Sequence, residues 1–310
     1  MGWGLVSRPP RAAIAAALIA VYFFWGSTFL GIRYAIDTIP PFLMAGVRFA
    51  LAGLILLAFA RLRRAPGTSW RALLAAAGTG IVMLVAGNGA VVWAEQTVPT
   101  GLVALTVSTS PIWMVLADRV FFGARITWPA MAGIGIGLAG MVVLVNPSTS
   151  VIPLLPTVVL LLSSFGWTAG MLLTRTRAMP ESTTLANAMQ MLGGGAAFLL
   201  IALAVGDPGR LDVHRVSASS LAGLAWLIVF GSLVAFSCYL WLIRVAPIPL
   251  VATQSYVSPV VAVVLGTLIR HESLAPRALI AGAVIIAGVV LVATAPWLTS
   301  RRAKPELKAA

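Results

Sequence analysis

The sequence predicts an all-α integral membrane protein of ten transmembrane helices, arranged as two inverted five-helix repeats. Three observations carry this. Of 310 residues, 60% are hydrophobic and only 9% charged, where an ordinary soluble domain carries about 25% charge. The apolar residues fall in runs of about twenty, the length that carries an α-helix across a hydrocarbon core roughly 30 Å thick. The second half of the chain also echoes the first at a fixed offset.

The runs cover residues 12–36, 41–60, 71–94, 99–118, 126–146, 153–173, 183–205, 219–243, 249–269 and 276–296. The first is longer than a signal h-region and is followed by more spans, so it is expected to remain in the mature chain. The second holds Arg48, and the third is parted from the fourth only by a short break around Pro99. In the fourth lies Pro111. The fifth contains "GIGLAG", residues 135–140. That string matches a dinucleotide-binding pattern by letters alone, because it follows no strand and no acidic residue stands about 20 positions on.

Gly133 and Gly137 in the same span form a GxxxG pair, with Ala283 and Ala287 as an echo in the tenth span; both point to close helix packing or to a homodimer through helices 5 and 10. The segment "NPSTSVIP", residues 146–153, has the Pro and Ser content of a connector. It divides the chain into a first repeat, residues 1–148, and a second, residues 149–310 with a C-terminal tail.

At an offset of 148, Trp93 meets Trp241, Pro99 meets Pro247, Ser110-Pro111 meets Ser258-Pro259, and Gly140 meets Gly288. A weaker match sets Trp25-Gly26-Ser27-Thr28 against Phe165-Gly166-Trp167-Thr168. Five spans per repeat force the second repeat to enter the membrane with opposite polarity. Pro111 cannot donate to the carbonyl of Val107, nor Pro259 to that of Ser255, so helices 4 and 9 are expected to kink at equivalent places. Lipid cannot satisfy the freed acceptors; nearby hydroxyls or a solvated cavity can.

The net charge of +13 would suggest nucleic acid in a soluble protein. Of the 21 lysines and arginines, however, fifteen fall in segments expected inside, five outside, and Arg48 within a span. That bias is a topology signal, and nucleic-acid binding is excluded. Every acidic residue falls at a span end or in a loop, which argues against a midplane carboxylate relay. His214 and His271 have no second ligand at metal-binding spacing, so no metal is expected and no cofactor. No GxSxG or HExxH motif marks an enzyme. Cys238, the lone cysteine, reads as a small buried hydrophobe.

A charge at the depth of Arg48 must be paired or hydrated. Asp37, the carbonyls near Pro40 and a ligand carboxylate are the candidate partners. The candidate solute-binding residues are the polar and aromatic side chains within spans: Trp25, Thr28, Asn88, Thr106, Ser108, Trp113, Trp167, Thr168, Tyr239, Gln254 and Tyr256. Aromatic walls with a few uncharged hydrogen-bonding groups suit a small amphipathic or aromatic solute.

Residues 24–53, "FWGSTFLGIRYAIDTIPPFLMAGVRFALAG", resemble the first two helices of the EamA branch of the drug/metabolite transporter superfamily, and residues 271–292, "HESLAPRALIAGAVIIAGVVLV", resemble its closing signature. The resemblance runs the length of the chain. It implies a carrier in the bacterial inner membrane, with both termini cytoplasmic and a cavity formed by helices 1, 3, 4, 6, 8 and 9. It also implies export of a small metabolite, foremost an amino acid, by alternating access; a broad-range drug exporter and a non-transporting scaffold or lipid scramblase are the alternatives. Trp25, Arg48 and Glu272 occupy signature positions, the two charges in structural roles. The first repeat has Gly123-Ala124 where the second has His271-Glu272.

If the repeats are inverted, cysteines introduced just after residues 118 and 269 react with an impermeant thiol reagent from opposite sides of the membrane. Labelling of both from one side would remove the inverted arrangement.

Overall fold

A computed structural model describes residues 9–94, 96–97, 103, 107, 110–124, 126–145, 154–270 and 276–300. Thr106, Ser108 and Glu272 lie outside the described residues. Within them the chain forms no strand, and ten principal helices follow in order. They are α1 (Arg11–Ala35), α2 (Pro41–Leu62), α3 (Trp70–Ala94), α4 (Ser110–Phe122), α5 (Trp128–Val145), α6 (Leu154–Thr176), α7 (Thr183–Ala204), α8 (Ala218–Val245), α9 (Gln254–Arg270) and α10 (Pro276–Ser300). A short helix, Ile248–Ala252, leads into α9 across a break at Thr253.

Six segments, in α1, α2, α3, α6, α7 and α8, are long and apolar enough to cross a membrane, and shorter apolar helices lie at Trp128–Gly140, Ile248–Ala262 and Ile280–Val292. Their outward faces carry Leu54, Leu62, Leu162, Leu200 and Ile280, all exposed. So much open apolar surface is costly in water and natural in lipid.

Each helix start follows from its sequence. Pro41 sits in the first turn of α2, where its missing N–H costs nothing. Ser69, Ser182 and Ser217 cap α3, α7 and α8 with their hydroxyls. α2 has no cap of its own. Instead, Asp207, 165 residues on, accepts from the amides of Phe42 and Leu43 at 3.0 and 3.1 Å. Gly206 makes this reach possible, because its φ of 76° turns the chain at the end of α7 in a way a β-carbon would strain.

The packing is organised by helix pairs. α2 lies against α7 and α5 against α10, in both cases antiparallel. Gly133 faces Val292 while Gly140 faces Ile285, and Gly46 faces Leu199 while Gly53 faces Leu192. A β-carbon on Gly133 would stand 2.6 Å from Val292, so this glycine is required for close approach. On α10 the residues that meet α5 are Ala281, Ile285, Gly288 and Val292; Ala283 and Ala287 point outward.

The remaining contacts form exchangeable sets. α1 packs on α8 and α9, as α6 packs on α3 and α4; α3 packs on α7, as α8 packs on α2. Adding five to each helix number, cyclically, maps this pattern onto itself. α3 and α8 also share a deviation that the sequence did not signal: each carries a π-helical run at mid-length, Ile81–Gly89 and Leu227–Phe236.

Replacing Asp207 with Ala removes a charged cap from the α2 amides and is expected to cost about 1–2 kcal/mol in a detergent unfolding titration, with Asn losing less. An unchanged midpoint for the Ala variant would show that the α2 terminus is held by other groups.

Candidate functional site

A cavity of about 130 Å³ lies between the helices of the two halves. From α1 it takes Trp25, Thr28, Phe29 and Ile32, from α2 Arg48, and from α3 Gly87, Asn88 and Val91. Val107 and Ser110 border it at the start of α4. α6 adds Ser163, Ser164 and Trp167, and α9 adds Gln254, Ser255, Ser258 and Pro259.

Toward the N-terminal end of α1 the cavity is closed. Trp25 and Trp167 meet edge to face with ring centres 5.5 Å apart, and Tyr239 lies 5.0 and 5.5 Å from them. Trp167 Nε1 donates to Tyr239 Oη at 2.9 Å, and Trp25 Nε1 donates to the carbonyl of Gly231 at 3.2 Å. Below them, Tyr22 Oη and Thr253 Oγ1 share a hydrogen bond of 2.6 Å that ties α1 to the break before α9. Ala17, Leu18, Val21, Leu56, Ile243 and Val251 fill the space beneath as one apolar cluster. This side of the cavity is therefore sealed by aromatic rings and hydrocarbon.

The two π-helical runs frame this floor. A π-turn widens the helix and shifts the phase of the residues that follow. In α3 it sets Gly87 under Trp167, so closely that a β-carbon would stand 2.8 Å from the indole. In α8 it sets Gly231 where its carbonyl takes Trp25 and its missing side chain leaves room for Arg48, 2.8 Å from where a β-carbon would be. Each tryptophan thus leans on a glycine of a π-helical run.

Arg48 is buried. Its Nε donates to Ser232 Oγ at 2.9 Å, and its guanidinium lies 4.7 Å from the Phe49 ring centre. Asp37 is not its partner: among the described residues no carboxylate forms an ion pair with it. The remainder of the guanidinium faces the cavity. Two more lining groups lack partners, Asn88 Oδ1 and Ser258 Oγ. Buried polar atoms are seldom left so.

The proline steps differ from each other. Ser110 Oγ donates to the carbonyl of Val107 at 2.6 Å, satisfying the acceptor that Pro111 leaves. Pro259 lies inside α9 and lines the cavity, and the Ser258 hydroxyl makes no such back-bond.

Of the residues expected at the site, Trp25, Thr28, Asn88, Trp167 and Gln254 line the cavity. Tyr239 forms a second layer behind Trp167. Thr168 turns back to the carbonyl of Ser164, Tyr256 packs against Gly137, and Trp113 lies on the outer side against Phe165. α8, expected in the wall, supports it from behind, whereas α2 enters it through Arg48. Ser163, Ser164, Ser255 and Ser258 went unselected; their sequence signal was a hydroxyl on a helix already chosen for another residue.

Comparison with known proteins points to one transporter family. The model of the EamA-like transporter family matches residues 12–146 and again 155–294. The uncharacterized inner membrane transporter YedA of Escherichia coli strain K12 is 36% identical over 283 residues, 91% of this chain and 91% of its own. The probable terminal-alkyne amino-acid exporter of Streptantibioticus cattleyicolor is 28% identical over 290 residues, covering 89% and 92%. Protein PecM of Dickeya dadantii is 26% identical over 287 residues, covering 90% and 92%. A crystal structure with 20% sequence identity superposes with a TM-score of 0.77 over 96% of this chain and 100% of that one, which is a likeness of fold.

In a background lacking Cys238, cysteine at Asn88 or Gln254 is expected to react with a small hydrophilic thiol reagent, and cysteine at the sealed Gln190 to stay unmodified. Equal reactivity at all three would mean that the cavity is not the accessible space.

Proposed function

This chain belongs to the EamA-like transporter family, and from that premise we propose that it exports a small metabolite, foremost an amino acid, across the bacterial inner membrane by alternating access. It is a membrane transporter and not an enzyme. The observation that carries the proposal is the cavity itself: chemically mixed, bordered by helices of both halves and closed at one end by interlocked aromatic rings.

In this reading residues 1–148 and 149–310 are two repeats of opposite orientation. The two separate family matches support it, as do the antiparallel α2/α7 and α5/α10 pairs and the cyclic pattern of helix contacts. Both termini are cytoplasmic, which the inward bias of basic residues supports. The cavity then faces the outside, and transport requires the floor of Trp25, Trp167 and Tyr239 to part while the opposite end closes. Substrate-binding roles fall to Trp25, Thr28, Asn88, Trp167 and Gln254, with Pro259 as the hinge. Pairing of two copies would use the outward Ala283 and Ala287 of α10, since Gly133 and Gly137 of α5 are occupied within the chain. An exporter of amino acids among its relatives adds weight to that substrate class.

The test is a counterflow panel of radiolabelled amino acids on purified protein in liposomes. Exchange of a subset, reduced about tenfold or more when Trp167 or Trp25 becomes Ala in a folded variant, is the expected result, since each ring supplies one wall of the site. Indifference to structure across amino acids and drugs would point to a broad-range exporter, and no solute flux from folded protein would leave the scaffold or scramblase reading.

A further inference from the structure

We propose that Arg48 is the group that binds a carboxylate of the solute, so that the cavity takes molecules bearing one free carboxylate and refuses esters, simple amines and organic cations. The inference rests on the cavity being the solute site. It does not depend on which amino acid is carried.

The argument begins with a cost. A guanidinium deep in a membrane protein is retained only with a counter-charge, water or a function. The acidic residues fall at helix ends and in loops, and among the described residues none reaches Arg48. What holds it is neutral: Ser232 Oγ on Nε and the face of Phe49. These fix the plane of the guanidinium without cancelling its charge. A guanidinium presents donors in a fork that fits the two oxygens of a carboxylate, and such charge-assisted pairs are the strong ones.

Two orphaned oxygens complete the reading. Asn88 Oδ1 and Ser258 Oγ belong to residues that line the same space, are themselves buried, and have no hydrogen-bond partner. They are acceptors, the chemistry an ammonium or hydroxyl on the solute requires, and neither carries charge. Trp25 and Trp167 offer flat apolar surface to the remainder of the molecule. With one fixed positive charge and no lining carboxylate among the described residues, an organic cation meets repulsion and a second carboxylate finds no partner. Gly231 is the positioning residue, because a β-carbon there would press on Nη2 of Arg48 at 2.8 Å.

The experiment compares three matched competitors in counterflow: a transported amino acid, its methyl ester and its decarboxylated amine. For the unaltered protein the ester and amine are expected to compete about 30-fold more weakly, the effect of losing one charge-assisted pair. In Arg48→Gln this preference should shrink to within about threefold, and Gly231→Ala should weaken the acid alone. Equal competition by all three in the unaltered protein, or a folded Arg48→Gln that keeps the preference, would overturn the proposal while transport itself stood. Should Arg48→Gln fail to fold, the competitor series on the unaltered protein decides alone. Absence of flux for every solute would instead strike the transporter reading.

Discussion

Hydrocarbon offers backbone amides and carbonyls no hydrogen-bond partner, and that constraint shapes everything else in this molecule. It makes regular helix the default for nearly every described residue in the bundle. Departures from regular helix then become informative, because each must be compensated by the protein or face a wet space. The π-helical runs of α3 and α8, the break at Thr253 and the proline inside α9 all border the cavity or its floor. The Pro111 step shows local compensation, with the Ser110 hydroxyl answering the carbonyl the ring leaves bare. At Pro259 the neighbouring Ser258 hydroxyl gives no such answer and is buried without a partner.

Symmetry of packing with asymmetry of chemistry is the second theme. Arg48 is the eighth residue of α2 and Gln190 the eighth of α7. Arg48 reaches Ser232 in the π-helical run of α8, while Gln190 reaches Thr79 of α3, just before its π-helical run, and Thr174 of α6. One polar group opens on the cavity; its counterpart is sealed, with its carbonyl oxygen unpartnered. A buried orphan of this kind costs on the order of 1–3 kcal/mol. The same backbone plan thus places a cation at one position and an amide at its counterpart.

Aromatic rings close the floor for a reason of chemistry. Trp25, Trp167 and Tyr239 fill volume like hydrocarbon, yet each has one polar atom that must find a partner when buried. Their bonds to Gly231 and to one another, with the Tyr22–Thr253 bond beneath, join α1, α6, α8 and α9 at one level. Few groups would have to let go for those helices to separate.

How much of this could be read from the residues divides along a physical line. Apolar run length, the scarcity of charge within the runs and the paired Ser-Pro steps are properties of the chain alone, and they determined the helical membrane class and picked out Trp25, Thr28, Asn88, Trp167 and Gln254. Which way a helix is turned was not legible. Lipid and protein core are alike apolar, so the pattern of side chains on α4, α6 and α9 does not say which face looks inward, and Trp113, Thr168 and Tyr256 were taken for cavity residues on the strength of their type. The π-helical runs were equally silent, because what they meet comes from other helices: the Trp167 indole at Gly87, and Arg48 with the Trp25 N–H at Gly231. Arg48 was conspicuous as a charge in a span, but its meaning came from what surrounds it: a hydroxyl, a ring and open space. Covalent sequence fixes which groups exist and how far apart they lie along the chain; only the docking of one half against the other settled which of them share a pocket and which charge was left without an answer.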